Sequence, residues 1–249
     1  MTWFEAVLVL AAGLGAGTIN AVVGSGTLLT FPALLAAGLP PVLANVSNTI
    51  GLAPGTAAGV IGYRRELSGQ RGRILRLVPA SLAGAVVGVV LLLRLPGSAF
   101  DAIVPGLILL GCTLVVLQPW LSRKINLPNG GGHRGAWWVI PAVFVTGVYG
   151  GYFGAAQGVL LMAILGIGLD PNLQRMNGLK NVLATVVNGV AAILFIFVAD
   201  VDWLAVALIA FGSTVGGLIG GRYGRRLPPL ALRGLIVVIG VTAVTTMLI

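Results

Sequence analysis

The chain has 249 residues, 57% of them hydrophobic and only 8% charged, with 15 Lys and Arg against 6 Asp and Glu for a net charge of +9. A mean hydropathy of +1.04 excludes an ordinary soluble domain, in which about a quarter of residues are charged. The basic excess gathers in short joints between apolar runs, which is the positive-inside pattern of a membrane protein and not a nucleic-acid footprint.

The first apolar run, residues 6–24, begins within MTWFEAVLVLAAGLGAG. It lacks a basic n-region and carries Glu5, so it reads as a first membrane helix and not as a cleaved leader. The turn GSGT (Gly24, Ser25, Gly26, Thr27) follows, then TLLTFPALLAAG, which is too short to cross a ~30 Å hydrocarbon core. Residues 42–62 include NVSNTIGLAPGT, where Asn45, Asn48, Thr49 and Thr56 fall on one helical face. Pro54 and Gly55 in the same run predict a kink. The joint YRRELSGQRGR, with Arg76 just beyond, predicts a cytoplasmic loop. Runs 77–93 and 102–119 come next; the second holds Cys112, the lone cysteine, which reads as a small packing residue. Residues 123–135, with Arg123, Lys124, His133 and Arg134, predict a cytoplasmic linker.

Past the linker the order repeats. Run 136–154 leads into GAAQG (Gly154 to Gly158), then the short GVLLMAILGIG, then QRMNGLKNVLATVVNGVA and run 182–199. The joint VADVDW, run 203–221, a basic joint with Arg222, Arg225, Arg226 and Arg233, and run 234–249 complete the chain. Sliding the sequence by 130 residues places Gly17 on Gly147, Gly24 on Gly154, Gly38 on Gly168 and Pro41 on Pro171; after a three-residue slip Asn48 meets Asn181. This predicts one transmembrane domain, 1–249, made of halves of about 1–122 and 136–249. The joint after the third segment is basic in the first half and carries Asp200 and Asp202 in the second. The halves should therefore be inverted, with both termini extracytoplasmic. The fold class is all-α and polytopic, since lipid offers backbone groups no partners and β-barrel strands would alternate over about 10 residues. Each half carries a short or broken helix after a Gly-rich turn.

Polar chemistry inside the apolar runs is sparse and specific. Asn177, Asn181 and Asn188 share a face with Lys180 adjacent, and Arg175 lies closer to the joint. Amides alone serve as interhelical glue, and for Asn20 or Asn188 taken singly that is the expectation. A lysine at membrane depth is costly and marks function unless it snorkels to the interface. Lysine, amides, hydroxyls and helix N-termini together suit an oxyanion with several acceptor oxygens. All six acidic residues lie at segment ends or in joints, and the sole histidine, His133, lies in the linker. That leaves no carboxylate pair, triad or metal cluster within the membrane, so neither an enzyme nor a metal or other cofactor is expected. A proton crossing on the substrate itself, as on a weak-acid anion, is the coupling that such a sequence allows.

The stretches AGTINAVVGSGTLLTFPALLAAGLPPVLANVSNTIGLAPGTAAGVIGYRREL, GVYGGYFGAAQGVLLMAILGIGL, QRMNGLKNVLATVVNGVAA and GGLIGGRYGRRLP resemble the TauE/SafE sulfite exporter family of bacterial membrane proteins. The resemblance covers nearly the whole chain and departs at GAAQG, where the family's glycine density is diluted and Gln157 intrudes. It implies an exporter of sulfite, an organosulfonate or a related anion, sited in the bacterial inner membrane with lipid as its surroundings and homo-oligomerisation left open. The pocket it implies joins Gly24, Ser25, Gly26, Thr27, Asn45 and Asn48 to Gln157, Arg175, Asn177, Lys180 and Asn181. A passive anion channel, and less readily an enzyme acting on a phosphorylated lipid, would use similar residues.

Overall fold

The computed structural model describes residues 1–125, 137–170, 172–223 and 229–248. Ten helices account for nearly all of them: α1 (Trp3–Val22), α2 (Thr27–Ala36), α3 (Pro41–Gly62), α4 (Arg71–Arg94), α5 (Gly97–Ile125), α6 (Val139–Tyr152), α7 (Gln157–Gly168), α8 (Leu173–Val198), α9 (Trp203–Tyr223) and α10 (Pro229–Leu248). Among the described residues there is no strand. Five helices are long and apolar enough to span a bilayer, namely α1, α4, α5 over Gly97–Trp120, α8 and α9. The short segments are short helices, as expected: α2 has 10 residues and α7 has 12, about 15–18 Å against a ~30 Å core.

Two boundaries differ from the sequence reading. Arg71, Arg73 and Arg76 belong to α4 and not to a loop, so the basic joint shrinks to 63–70. α5 continues to Ile125, three residues into the stretch read as linker. α3 runs through Pro54 as one helix, and the Ser213 hydroxyl of α9 donates to the Gly51 carbonyl three residues before it at 2.9 Å. His133, Arg134, Arg225 and Arg226 lie outside the described residues.

Local chemistry explains the helix ends. Thr2 and Glu5 close a capping box on α1, Pro41 opens α3 at its first position, and Asn172 accepts from the Gln174 and Arg175 N–H groups at 3.1 Å each. The two breaks end their helices in the same way. Val23 and Gly24 N–H both donate to Ile19 O, at 2.7 and 3.0 Å, and Phe153 and Gly154 N–H both donate to Tyr149 O, at 2.9 and 3.0 Å. Gly24 and Gly154 adopt φ of +88° and +77°, a backbone that L side chains resist and glycine accepts.

Small residues let the helices meet closely. A Cβ on Gly17 or Gly216 would strike the facing backbone between α1 and α9; one on Gly84, Gly88 or Gly151 would do the same between α4 and α6. α3 packs on α8 and α9, α4 on α8, and α5 on α10. Renaming α1–α5 as α6–α10 and the reverse returns the same principal packings: α1 on α9 becomes α6 on α4, and α3 on α9 becomes α8 on α4. The outer face is apolar, with Trp3, Trp120, Trp137 and Trp203 exposed at or beside helix ends, where aromatic side chains settle at a membrane interface.

Candidate functional site

The breaks of the two halves touch. The Gly158 N–H of α7 donates to Gly24 O at 3.0 Å, and a Cβ on either glycine would collide with the other's backbone. A small cavity of about 20 Å³ opens beside this crossing, room for about one water. Of the residues expected in the pocket, Gly24, Thr27, Gln157, Lys180 and Asn181 line it.

Lys180 is 1% exposed, so its stem does not snorkel. Its Nζ donates to Asn20 O at 3.0 Å and to Ala21 O at 3.4 Å, and Asn181 Nδ2 donates to Ala21 O at 3.3 Å. These carbonyls belong to the last turn of α1, which has no basic residue of its own and leaves them orphaned. A cation from α8 therefore sits on the negative end of the α1 dipole. Among the described residues no carboxylate contacts Lys180; both ion pairs involve Asp170. Gln157 Nε2 is buried without a hydrogen-bond partner, and so is Ser25 Oγ.

The other expected residues lie elsewhere and tie helices together. Asn48 Nδ2 reaches Thr27 Oγ1 at 3.5 Å, while its Oδ1 accepts from the Thr30 hydroxyl, which fastens α3 to α2. Asn45 Nδ2 donates to Tyr152 O at 2.9 Å, from α3 to the end of α6. Asn177 Nδ2 donates to the Tyr63 hydroxyl at 2.8 Å. The Gly26 N–H is taken by Asn20 Oδ1 at 2.7 Å. Arg175 stands at the α7–α8 joint, its Nε 3.9 Å from Asp170. There Arg73 pairs with Asp170 at 2.9 Å, and buried Gln70 donates to the carbonyls of Glu66 and Arg175 at 2.9 Å each. Burial alone would raise the Asp170 pKa, but the Asn172 N–H and the Arg73 and Arg175 guanidinium groups outweigh it and hold the carboxyl below its ordinary range.

Asn20 and Asn188, read singly as glue, both line the cavity, and Thr56 and Gly154 join them. Asn188 had a signal: it stands seven residues after Asn181, on the same face of α8. Asn20 had none in its own helix, since its role follows from the neighbouring break.

A helical membrane bundle closed over a polar cavity, with a buried cation between broken helices, has the architecture of a membrane transporter. The family model for "Sulfite exporter TauE/SafE" matches residues 9–247, and the chain belongs to that family. The chain is 27% identical over 239 residues to "Probable membrane transporter protein ORF9" of Sinorhizobium sp, covering 91% of this chain and 85% of that one. It is 28% identical over 222 residues to "Probable membrane transporter protein YfcA" of Escherichia coli (strain K12), covering 85% and 76%. A "Probable membrane transporter protein" of Haemophilus influenzae is 24% identical over 221 residues, covering 86% and 83%. No solved structure matches the chain.

Proposed function

We propose that the chain is a secondary transporter that exports a small sulfur-containing anion, sulfite or an organosulfonate, across the bacterial inner membrane. The observation that carries this reading is Lys180: a cation 1% exposed, with no carboxylate partner among the described residues, beside a cavity lined by amides and hydroxyls. Such a group is stabilised when an anion arrives. Gln157, Asn181 and the Thr27 hydroxyl, which line the cavity, would hold the remaining oxygens. The cavity is shut to about the size of one water, so substrate entry requires the halves 1–122 and 136–249 to part at the Gly24–Gly158 crossing. Motion of one inverted half against the other supplies alternating access, with both termini outside. A closed site suits a carrier better than a passive channel.

Lys180→Gln tests the reading in inverted membrane vesicles. Sulfite uptake should fall at least about ten-fold while the protein still inserts and melts as a folded species. Unchanged uptake would remove Lys180 as a substrate ligand. Reporter tags at both termini that reacted only from the cytoplasmic side would overturn the topology.

A further inference from the structure

We infer that the site selects a singly charged anion over a doubly charged one of the same size and shape; the inference rests on the transporter reading above. The argument is a charge count at the cavity. Among the described residues Lys180 is the only one lining the cavity with a formal charge, and Asn20, Asn181, Asn188, Gln157, Thr27 and Thr56 are neutral. The cations at the α7–α8 joint, Arg73 and Arg175, are engaged with Asp170 and do not line it.

Four helix ends also meet here. α1 and α6 end in carbonyls, each about −0.5 of a charge, and α2 and α7 begin in N–H groups, each about +0.5. They occur in pairs, α1 with α2 across Gly24 and α6 with α7 across Gly154, and both glycines line the cavity. The four partial charges cancel and leave the ammonium, a net charge of about +1. Lys180 uses two of its three donors on Asn20 O and Ala21 O, which leaves one for a ligand. Gln157 Nε2, also without a partner, supplies a neutral donor beside it. A bound monoanion makes the site neutral. A dianion leaves a full negative charge where the chain offers nothing to meet it, and a buried uncompensated charge is strongly disfavoured.

Methanesulfonate and sulfate are close in size and both tetrahedral, and at mildly acidic pH they carry one and two charges while sulfite is chiefly its monoanion. They should be compared as competitors of sulfite flux in proteoliposomes and as stabilisers of the purified protein in thermal melts, at fixed ionic strength. Methanesulfonate should win by about ten-fold or more in both. Sulfate binding as tightly or more tightly would overturn the inference. Asn188→Lys adds a second cation at a partly buried lining position. It should shift the preference at least about ten-fold towards sulfate, and an unmoved ratio would overturn the charge count. The melts need no turnover, so the two claims fail separately. Selective stabilisation without any flux sinks the transporter reading and upholds the charge selectivity, while flux without charge preference does the reverse.

Discussion

The Gly24–Gly158 crossing brings two backbones together beside the cavity, and Gly158→Ala probes it directly. Among the described residues only Gly24, Gly38, Gly69 and Gly154 are glycines with positive φ, so alanine at position 158 meets no backbone conflict, only crowding. Its Cβ would stand 3.0 Å from Gly24 O and closer still to Gly24 Cα; both are backbone atoms that no rotamer change can move. Overpacking of this kind costs about 1–3 kcal/mol, and losing the 3.0 Å Gly158–Gly24 hydrogen bond adds about 1 kcal/mol. The helix propensity of alanine returns up to about 1 kcal/mol. The net is roughly 1–3 kcal/mol, or a fall of ~2–12 °C in melting temperature for a chain of this length. Gly189→Ala is the internal standard, since Gly189 lies within α8 and a Cβ there meets nothing within 4 Å. It should hold or raise the melting temperature by a few degrees, about 1–4 °C. Tryptophan-monitored melts in detergent, paired with sulfite flux, read both variants. If Gly158→Ala matched Gly189→Ala in melting and transport, the crossing would not be the contact described.

Asp170→Asn removes the charge that Arg73 and Arg175 share and should lower stability near neutral pH by about 0.5–1 kcal/mol. The folded carboxyl has a depressed pKa, so its contribution is present above the ordinary Asp value of about 3.9 and is lost as pH falls through the depressed one. The gap in melting temperature between wild type and variant should therefore close on acidification, and a gap that widened would contradict the pairing. In α10, a Cβ on Gly240 would collide with Cys112 Sγ of α5. Gly240→Ala should destabilise the wild type by about 1 kcal/mol yet stabilise the Cys112→Ala background, a coupling of roughly 1–2 kcal/mol read from a double-mutant cycle of melts.

Much of the fold was legible because hydropathy and glycine placement act locally. The lengths of α2 and α7, the turns at Gly24 and Gly154 and the depth of Lys180 are all set by residues within a few positions of each other. The site was legible only in part, because helical periodicity gives a side chain's face but not the neighbour that face meets. Asn45 and Asn48 share the polar face of α3 and are consumed by Tyr152, Thr27 and Thr30. Asn20 looked like glue and lines the cavity. In the 130-residue register Asn20 aligns with Gly150, and Thr27 aligns with Gln157. The first half takes its amide from the long helix and the second from the short one, and the Gln157 side chain fills the space over Gly150. The two copies of the 130-residue pattern thus carry their amides at different positions, which a column-by-column match does not show.

The union of α1 with Lys180 also bears on the order in which the protein is made. α1 is synthesised before α8, yet the ammonium that satisfies Asn20 O lies 160 residues further along the chain. Until α8 enters the membrane, the end of α1 keeps carbonyls without their native donors in a medium that penalises each by several kcal/mol. The first five helices are thus an incomplete assembly: the last turn of the first is finished by the eighth, and the nascent protein reaches its native form only when the second half closes back onto the first.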